Sequence, residues 1–285
     1  SIILQSEEAS DYVGDRIQMT DVERVRAIQH ILDNTVGLDD IRPVRAPYMY
    51  LKELLARIGD LKRDGITPER LDRALKDRKA LEAAFKEEKH ARRFTALAKV
   101  YRLYEELKKG GEPKVFDERG RYDFDDMVIC ATEALKKEGE LKARYARTYR
   151  YAMVDEYQDT NLAQLELLFT LFDGKDPNLA CVGDDDQSIY RFQGASVENF
   201  KMLNARFPRL VTISLKDNYR STKKIIDVST AIIGIIPVSE RVAEKELVPS
   251  SGRSAKEIEF RQLSTEREEI LYVIEKVKAL KDAIS

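Results

Sequence analysis

Three times between Tyr149 and Ser221 a short apolar run breaks off into a dense polar cluster. Residues 149–154 end in Asp155-Glu156, residues 179–182 end in Gly183 and three aspartates, and residues 210–215 lead to Asn218-Tyr219-Arg220-Ser221. Between and after these runs the apolar residues fall at helical spacing, over 160–172, 199–207 and 221–235. Short apolar strands alternating with amphipathic helices predict a parallel sheet and an α/β core. Open sheets of this kind bind ligands beyond the carboxyl ends of their strands, where all the polar clusters fall. A further strand is expected over 258–263 and a last amphipathic helix over 266–281.

The first 120 residues read differently. Thr20-Asp21-Val22-Glu23 has capping-box spacing, and Val22, Val25, Ile28, Ile31 and Leu32 follow on one helical face. Pro47 opens a second pattern that runs to Gly65, and Thr67-Pro68 reads as a cap followed by proline at the first helical position. One long charged helix is expected over 78–109, stopped by Gly110-Gly111, then a loop over 112–121 and an amphipathic helix over 123–137. No internal repeat is visible. The expected organisation is therefore a helical domain followed by α/β material.

Bulk composition narrows the class more than the function. Charged residues make up 35% of the 285 and hydrophobic ones 43%, without tryptophan, which suits a soluble, helix-rich protein. A net charge of −2 says little about partners, since local clustering outweighs the sum. Cys130 and Cys181 lie inside apolar stretches and read as reduced, buried thiols. Two histidines and no C-x-x-C argue against zinc. The longest apolar run, over 231–238, is too short to span a membrane and is broken by Gly234 and Pro237. With no signal peptide in view, a cytoplasmic setting is expected; a chain beginning at Ser1 reads as a piece of something longer.

The polar clusters carry recognisable chemistry. Phosphoryl-transfer sites use one carboxylate to hold Mg²⁺ and another acidic or amide group to orient the attacking water. Asp155 and Glu156 fit that pair, although an Asp-Glu after a strand is also what a solvated turn looks like. Gln158, Asp159 and the immediate helix start at Thr160-Asn161 favour the functional reading. Asp184, Asp185 and Asp186 suit either a metal or helix capping, and capping is preferred; Gln187 is the better functional residue, because a neutral amide contacts a phosphate without binding it permanently. Tyr190 and Phe192 bracket Arg191, an arrangement that suits stacking on single-stranded bases unless both rings are core. Arg220 is placed to neutralise charge on a transferring phosphoryl group, and Tyr219 to stack on a base. No G-x-x-x-x-G-K-[ST] run occurs: Gly174-Lys175 is followed by Asp176 and lacks the upstream glycine.

In this order and spacing, VDEYQDTN (154–161), VGDDDQSIYRFQGA (182–195) and NYRS (218–221) resemble motifs II, III and IV of the UvrD/Rep/PcrA family of superfamily 1 DNA helicases. Tyr122-Asp123-Phe124-Asp125-Asp126 is similar to the YDFDD segment by which that family's chain re-enters its first motor domain. The match is dense over 122–229 and only architectural before it. The resemblance implies a RecA-like P-loop NTPase core with an all-α inserted subdomain. Residues 1–120 would be the helical insertion, 121–209 the C-terminal part of the first motor domain, and 210–285 the start of the second.

It also implies ATP and Mg²⁺ as cofactors and 3′–5′ translocation on single-stranded and partly duplex DNA. Protein partners would belong to a repair or replication complex, with a cytoplasmic, nucleoid-associated location. Asp155 would coordinate Mg²⁺, Glu156 polarise the water, Gln187 contact the γ-phosphate, Tyr190 and Phe192 stack on bases, Tyr219 stack on adenine, and Arg220 reach the γ-phosphate. Two positions depart from the family pattern: Phe192 stands where it usually has Trp, and Gln193 where it has Arg, implying a smaller stack and one cationic contact fewer. The family's glutamine motif, Gly-Lys-Thr loop and Thr-Phe-Thr segment are not in the sequence, nor are its final motifs, so a middle portion of a helicase, inactive alone, is expected. An alternative is a catalytically inactive helicase-like subunit that binds DNA or a partner; a metal nuclease built on Asp184 to Asp186 leaves Tyr219-Arg220 unexplained.

Overall fold

The computed structural model describes residues 16–85, 87–110, 115–116, 119–174, 177–187, 198–235, 246–254 and 257–282. The chain divides into two compact units, Ser1–Val211 and Thr212–Ser285.

In the first unit a two-residue strand β1 (Ile17–Gln18) precedes α1 (Asp21–Asn34). Thr20 caps α1 reciprocally: its hydroxyl accepts the Glu23 N–H at 3.2 Å, and the Glu23 carboxylate accepts the Thr20 N–H at 2.9 Å. Helices α2 (Leu51–Arg63), α3 (Pro68–Lys76), α4 (Arg78–Ala84) and α5 (Glu88–Lys108) follow. Their apolar faces, with Ala27, Ile28, Ile31 and Leu32 of α1, close one core around Leu54, Ile58, Leu71, Val100 and Tyr104. The single helix expected over 78–109 is two helices. Nine residues of unbroken helix would set Phe85 and Phe94 about 13 Å apart on opposite faces. The break instead brings their rings to 5.2 Å.

Strand β2 (Arg121–Tyr122) pairs in parallel with β1, a ladder unforeseen in the sequence and beginning at the last residue of the loop expected over 112–121. Helix α6 (Phe124–Lys137) starts at an Asp123 capping box, and α7 (Gly139–Thr148) packs Leu141 and Tyr145 beneath it. Helix α7 was also unforeseen, having no side-chain cap and few apolar residues. Strand β3 (Ala152–Val154) leads through a short 3₁₀ turn (Tyr157–Asp159) into α8 (Leu162–Leu171), capped by Asn161. Strand β4 (Leu179–Cys181) runs parallel to β3, with Val154 beside Cys181. A second 3₁₀ turn (Asp185–Gln187) and α9 (Glu198–Arg206) complete the unit. Tyr157, Leu165, Leu203 and Phe207 form a further core beneath β3 and β4.

The second unit holds β5 (Asp217–Asn218), α10 (Lys223–Ile233), β6 (Val248–Pro249) and α11 (Glu266–Asp282), with β5 parallel to β6. The strands expected over 210–215 and 258–263 are not strands. Val211, Ile213 and Leu215 alternate as a strand should, yet no described residue supplies a ladder to them, and each is about 80% exposed. Ile226 is the only buried residue among those described in this unit.

Between the helices and the strands of the first unit lies a buried ionic cluster. Lys62 Nζ sits 2.5 Å from Asp123, 2.7 Å from Asp126 and 2.8 Å from Glu105. Lys108 Nζ lies 2.5 Å from Asp126 and 2.9 Å from Glu105, and the Tyr104 hydroxyl donates to Asp123 at 3.2 Å. Asp123 and Asp126 also cap α6, so the same carboxylates start a helix and bind two others. Burial opposes ionisation of Asp123, but the two ammonium groups win and hold it well below the usual carboxylate range.

A depressed acid stabilises the fold above its unfolded-state value, and that contribution is lost as pH falls through the folded value. Lys62→Met should therefore cost about 3–5 kcal/mol, because it leaves buried carboxylates uncompensated. It should also raise the acid-unfolding midpoint, read by circular dichroism across pH. An unmoved midpoint would mean that Asp123 does not depend on Lys62.

Candidate functional site

Parallel pairing of β3 and β4 makes Asp155-Glu156 and Gly183-Asp184 leave the ladder side by side. The Val182 N–H bonds to Val154 O at 2.8 Å and the Tyr157 N–H to Val182 O at 2.9 Å, so the two exits stay laced together past the strand ends. Asp155 and Glu156 are both exposed. An Asp155 oxygen accepts the Glu156 N–H at 2.9 Å, and no described group bonds its second oxygen. One carboxylate with a free oxygen beside open space suits a Mg²⁺ that takes its remaining ligands from phosphates and water.

Glu156 has φ 49°, the only positive φ among the described non-glycine residues. That conformation costs about 1–2 kcal/mol and persists only where surrounding structure imposes it. Tyr157 and Gln158, both buried, impose it here. The Tyr157 hydroxyl donates to the Asn199 carbonyl at 3.0 Å, anchoring the turn to α9, and burial pushes its phenol far above the usual range. The Gln158 amide donates to Glu156 Oε2 at 2.5 Å, while its oxygen accepts the Asp184 N–H at 2.9 Å. Asp184 in turn takes Gln187 Nε2 at 2.8 Å and the Asp186 N–H at 3.3 Å. Asp184 thus caps its turn.

An open cleft of about 480 Å³ adjoins the turn, with Asp155, Glu156 and Asp159 on its polar side and Leu167, Leu168 and Leu171 on its apolar side. A smaller cleft of about 390 Å³ brings exposed Phe124 and half-buried Asp125 of the YDFDD segment to Asp159 and Asn161. The structure therefore joins Glu156 and Gln187 through Gln158 and Asp184, with Asp155 beside them on the Glu156 N–H, and Asp184 takes the capping role preferred for it in the sequence. Gln158 was legible only as one polar residue in a polar run. A sharper signal was Gly183: a Cβ there would stand 2.7 Å from Gln158 Oε1 and 3.1 Å from the Tyr157 backbone nitrogen.

In the second unit Asn218 Oδ1 accepts the N–H groups of Arg220 and Ser221, at 3.0 and 2.8 Å, which leaves Tyr219 and Arg220 exposed on a tight turn before α10. Tyr190 and Phe192 lie outside the described residues.

Acidic and amide groups at the carboxyl ends of parallel strands stand where open α/β sheets bind their ligands. The UvrD/REP helicase N-terminal domain matches residues 3–208, and the UvrD-like helicase C-terminal domain matches residues 213–285. The chain belongs to the UvrD/REP helicase family. A RecA-like helicase fold follows from that membership, and the helix-rich architecture with short parallel ladders agrees with it. Similar proteins include the ATP-dependent DNA helicase PcrA of Leuconostoc citreum, 32% identical over 81% of this chain and 27% of its own length. The ATP-dependent DNA helicase Rep of Escherichia coli (strain K12) is 40% identical over 52% of this chain and 21% of its own. The chain thus spans only about a quarter of the relatives it matches. Among the described residues no helix is long and apolar enough to cross a membrane.

Gly183→Ala should lower stability by about 1–3 kcal/mol, the cost of overpacking a fitted site. The check is a melting curve together with the amide resonance of Asp184, which should shift as Gln158 is displaced. An unperturbed resonance would mean the added methyl is absorbed elsewhere.

Proposed function

We propose that this chain supplies part of an ATP-dependent DNA helicase motor that translocates 3′–5′ on single-stranded DNA. The observation that carries the reading is the side-by-side exit of Asp155-Glu156 and Gly183–Gln187 from one parallel ladder, in a chain of this family. In it, Asp155 holds Mg²⁺ through its open carboxylate oxygen, and bound Mg²⁺·ATP supplies the phosphoryl group. Glu156 withdraws a proton from the attacking water, and Gln187 contacts the γ-phosphate. Arg220 serves the γ-phosphate and Tyr219 stacks on adenine, as the family pattern implies; both are exposed on the turn before α10. Tyr190 and Phe192 stack on bases. Residues 1–120 serve as the helical insertion, 121–209 as the end of the first motor domain and 210–285 as the start of the second. Partners would be DNA and the proteins of a repair or replication complex.

No Gly-Lys-[Ser/Thr] loop is present to hold the β- and γ-phosphates, so purified residues 1–285 should turn over ATP negligibly. In the full-length protein Glu156→Gln should bind ATP and DNA nearly as the parent does while hydrolysis is almost abolished, since an amide keeps the shape but takes no proton. Steady-state turnover and nucleotide titration separate the two. Equal loss of binding and turnover would mark Glu156 as structural. A parent protein that binds DNA without hydrolysing ATP would favour the inactive-subunit alternative.

Phe192→Ala should weaken single-strand binding by about 1–3 kcal/mol and leave its salt slope unchanged, because a stacked ring releases no counterions. Fluorescence titration at several salt concentrations tests this. Unchanged affinity with a large drop in melting temperature would put Phe192 in the core.

A further inference from the structure

Four residues at the ends of β3 and β4 are linked by three hydrogen bonds and the covalent frame of Asp184. The series runs from the Glu156 carboxylate to the Gln158 amide, from Gln158 Oε1 to the Asp184 N–H, and from the Asp184 carboxylate to the Gln187 amide. We propose that Gln158 is a positioning residue that couples the Glu156 carboxylate to the Gln187 amide, so that the water-activating and phosphate-contacting groups are set by one another. The proposal rests on reading Glu156 and Gln187 in those roles and adds the part that connects them.

The series has a fixed direction. The Asp184 N–H can only donate, so the Gln158 atom facing it must be the oxygen, and the nitrogen then faces Glu156, which as a carboxylate only accepts. The amide has one orientation, and each end is matched. Gln158 is also 1% exposed, so its two bonds do not compete with water. Gly183 fits the same purpose, since any side chain there would meet Gln158 Oε1 at 2.7 Å.

Glu156 needs such a partner. Its side chain is exposed and would otherwise sample several rotamers. Its backbone sits in the left-handed region at φ 49°, which by itself fixes no carboxylate position. The buried Gln158 amide supplies that restraint, from a residue held in the core beside Tyr157.

Gln187 completes the link. Asp184 binds it twice, through Nε2 at 2.8 Å and by accepting its N–H on the backbone carbonyl at 3.0 Å. A phosphate that draws the Gln187 amide away removes one donor from the Asp184 carboxylate. The Asp184 N–H is on the same residue and is the group that orients Gln158. A message at one strand end therefore has a route of three hydrogen bonds to the other. A packing role alone would need only a side chain of the right volume.

Gln158→Met tests the difference, because it fills similar volume and neither donates nor accepts at those points. In the 285-residue chain, the Asp184 amide should exchange at least ~10-fold faster by NMR once its acceptor is gone. In the full-length protein kcat for ATP hydrolysis should fall by up to about 10²-fold, the scale of an ångström-sized misplacement, with KM for ATP unchanged. Adding Gln187→Ala to Gln158→Met should cost less than the sum of the single effects. Unchanged Asp184 exchange, strictly additive effects, or a kcat loss that vanishes below the variant's melting range would each overturn the coupling. Retained turnover by Glu156→Gln would instead overturn the role of Glu156, and the two failures are read from different variants.

Discussion

Two ammonium groups buried among three carboxylates hold the first unit together. Lys62 from α2 and Lys108 from α5 converge on Glu105, Asp123 and Asp126, and without that convergence the turn that opens α6 would be a cluster of repelling acids. The desolvation cost of such groups is large, so each depends on all the others being in place. Elements later in the chain inherit the result: α6 packs against α8, and α8 is the crossover that delivers the chain from β3 to β4. The acid-bearing turns at the strand ends are thus positioned by charges far from them in sequence.

Much of the fold was legible because its signals are local. Thr20, Thr67, Asp123 and Asn161 all cap the helices that follow them, and β3 and β4 occupy their apolar runs. The failures are those of residues whose state depends on something distant. Val211, Ile213 and Leu215 carry a strand's alternation, but alternation cannot supply a ladder partner. Ile17 and Arg121 form one although neither lies in an apolar run, because pairing across a hundred residues leaves no local trace. The break between α4 and α5 has no glycine or proline to announce it and is made by Phe85 turning back to Phe94.

The site divides the same way. Asp155, Glu156 and Gln187 stand out by residue type after a strand. Asp184 does too, as a cap, but its link to Gln158 does not, since what matters there is the direction of one amide and one N–H. Lys62 and Lys108 carry no local sign of burial, and only the fold shows them 2% and 4% exposed. A polar residue inside a polar run is read correctly only once its depth is known.

The two thiols carry a practical consequence. Burial pushes Cys130 and Cys181 each up to about 11. At neutral pH only about one thiol in ten thousand is then a thiolate, the form that reacts with maleimides or peroxide. The chain has no other cysteine. It is therefore close to a silent background for chemistry at sulfur: a cysteine introduced on the exposed side of α11, or in place of solvent-facing Phe260, would be alkylated well before either native thiol. Fluorophores or spin labels could be installed one at a time without first stripping the natural residues, whose replacement would disturb the packing of α6 and β4.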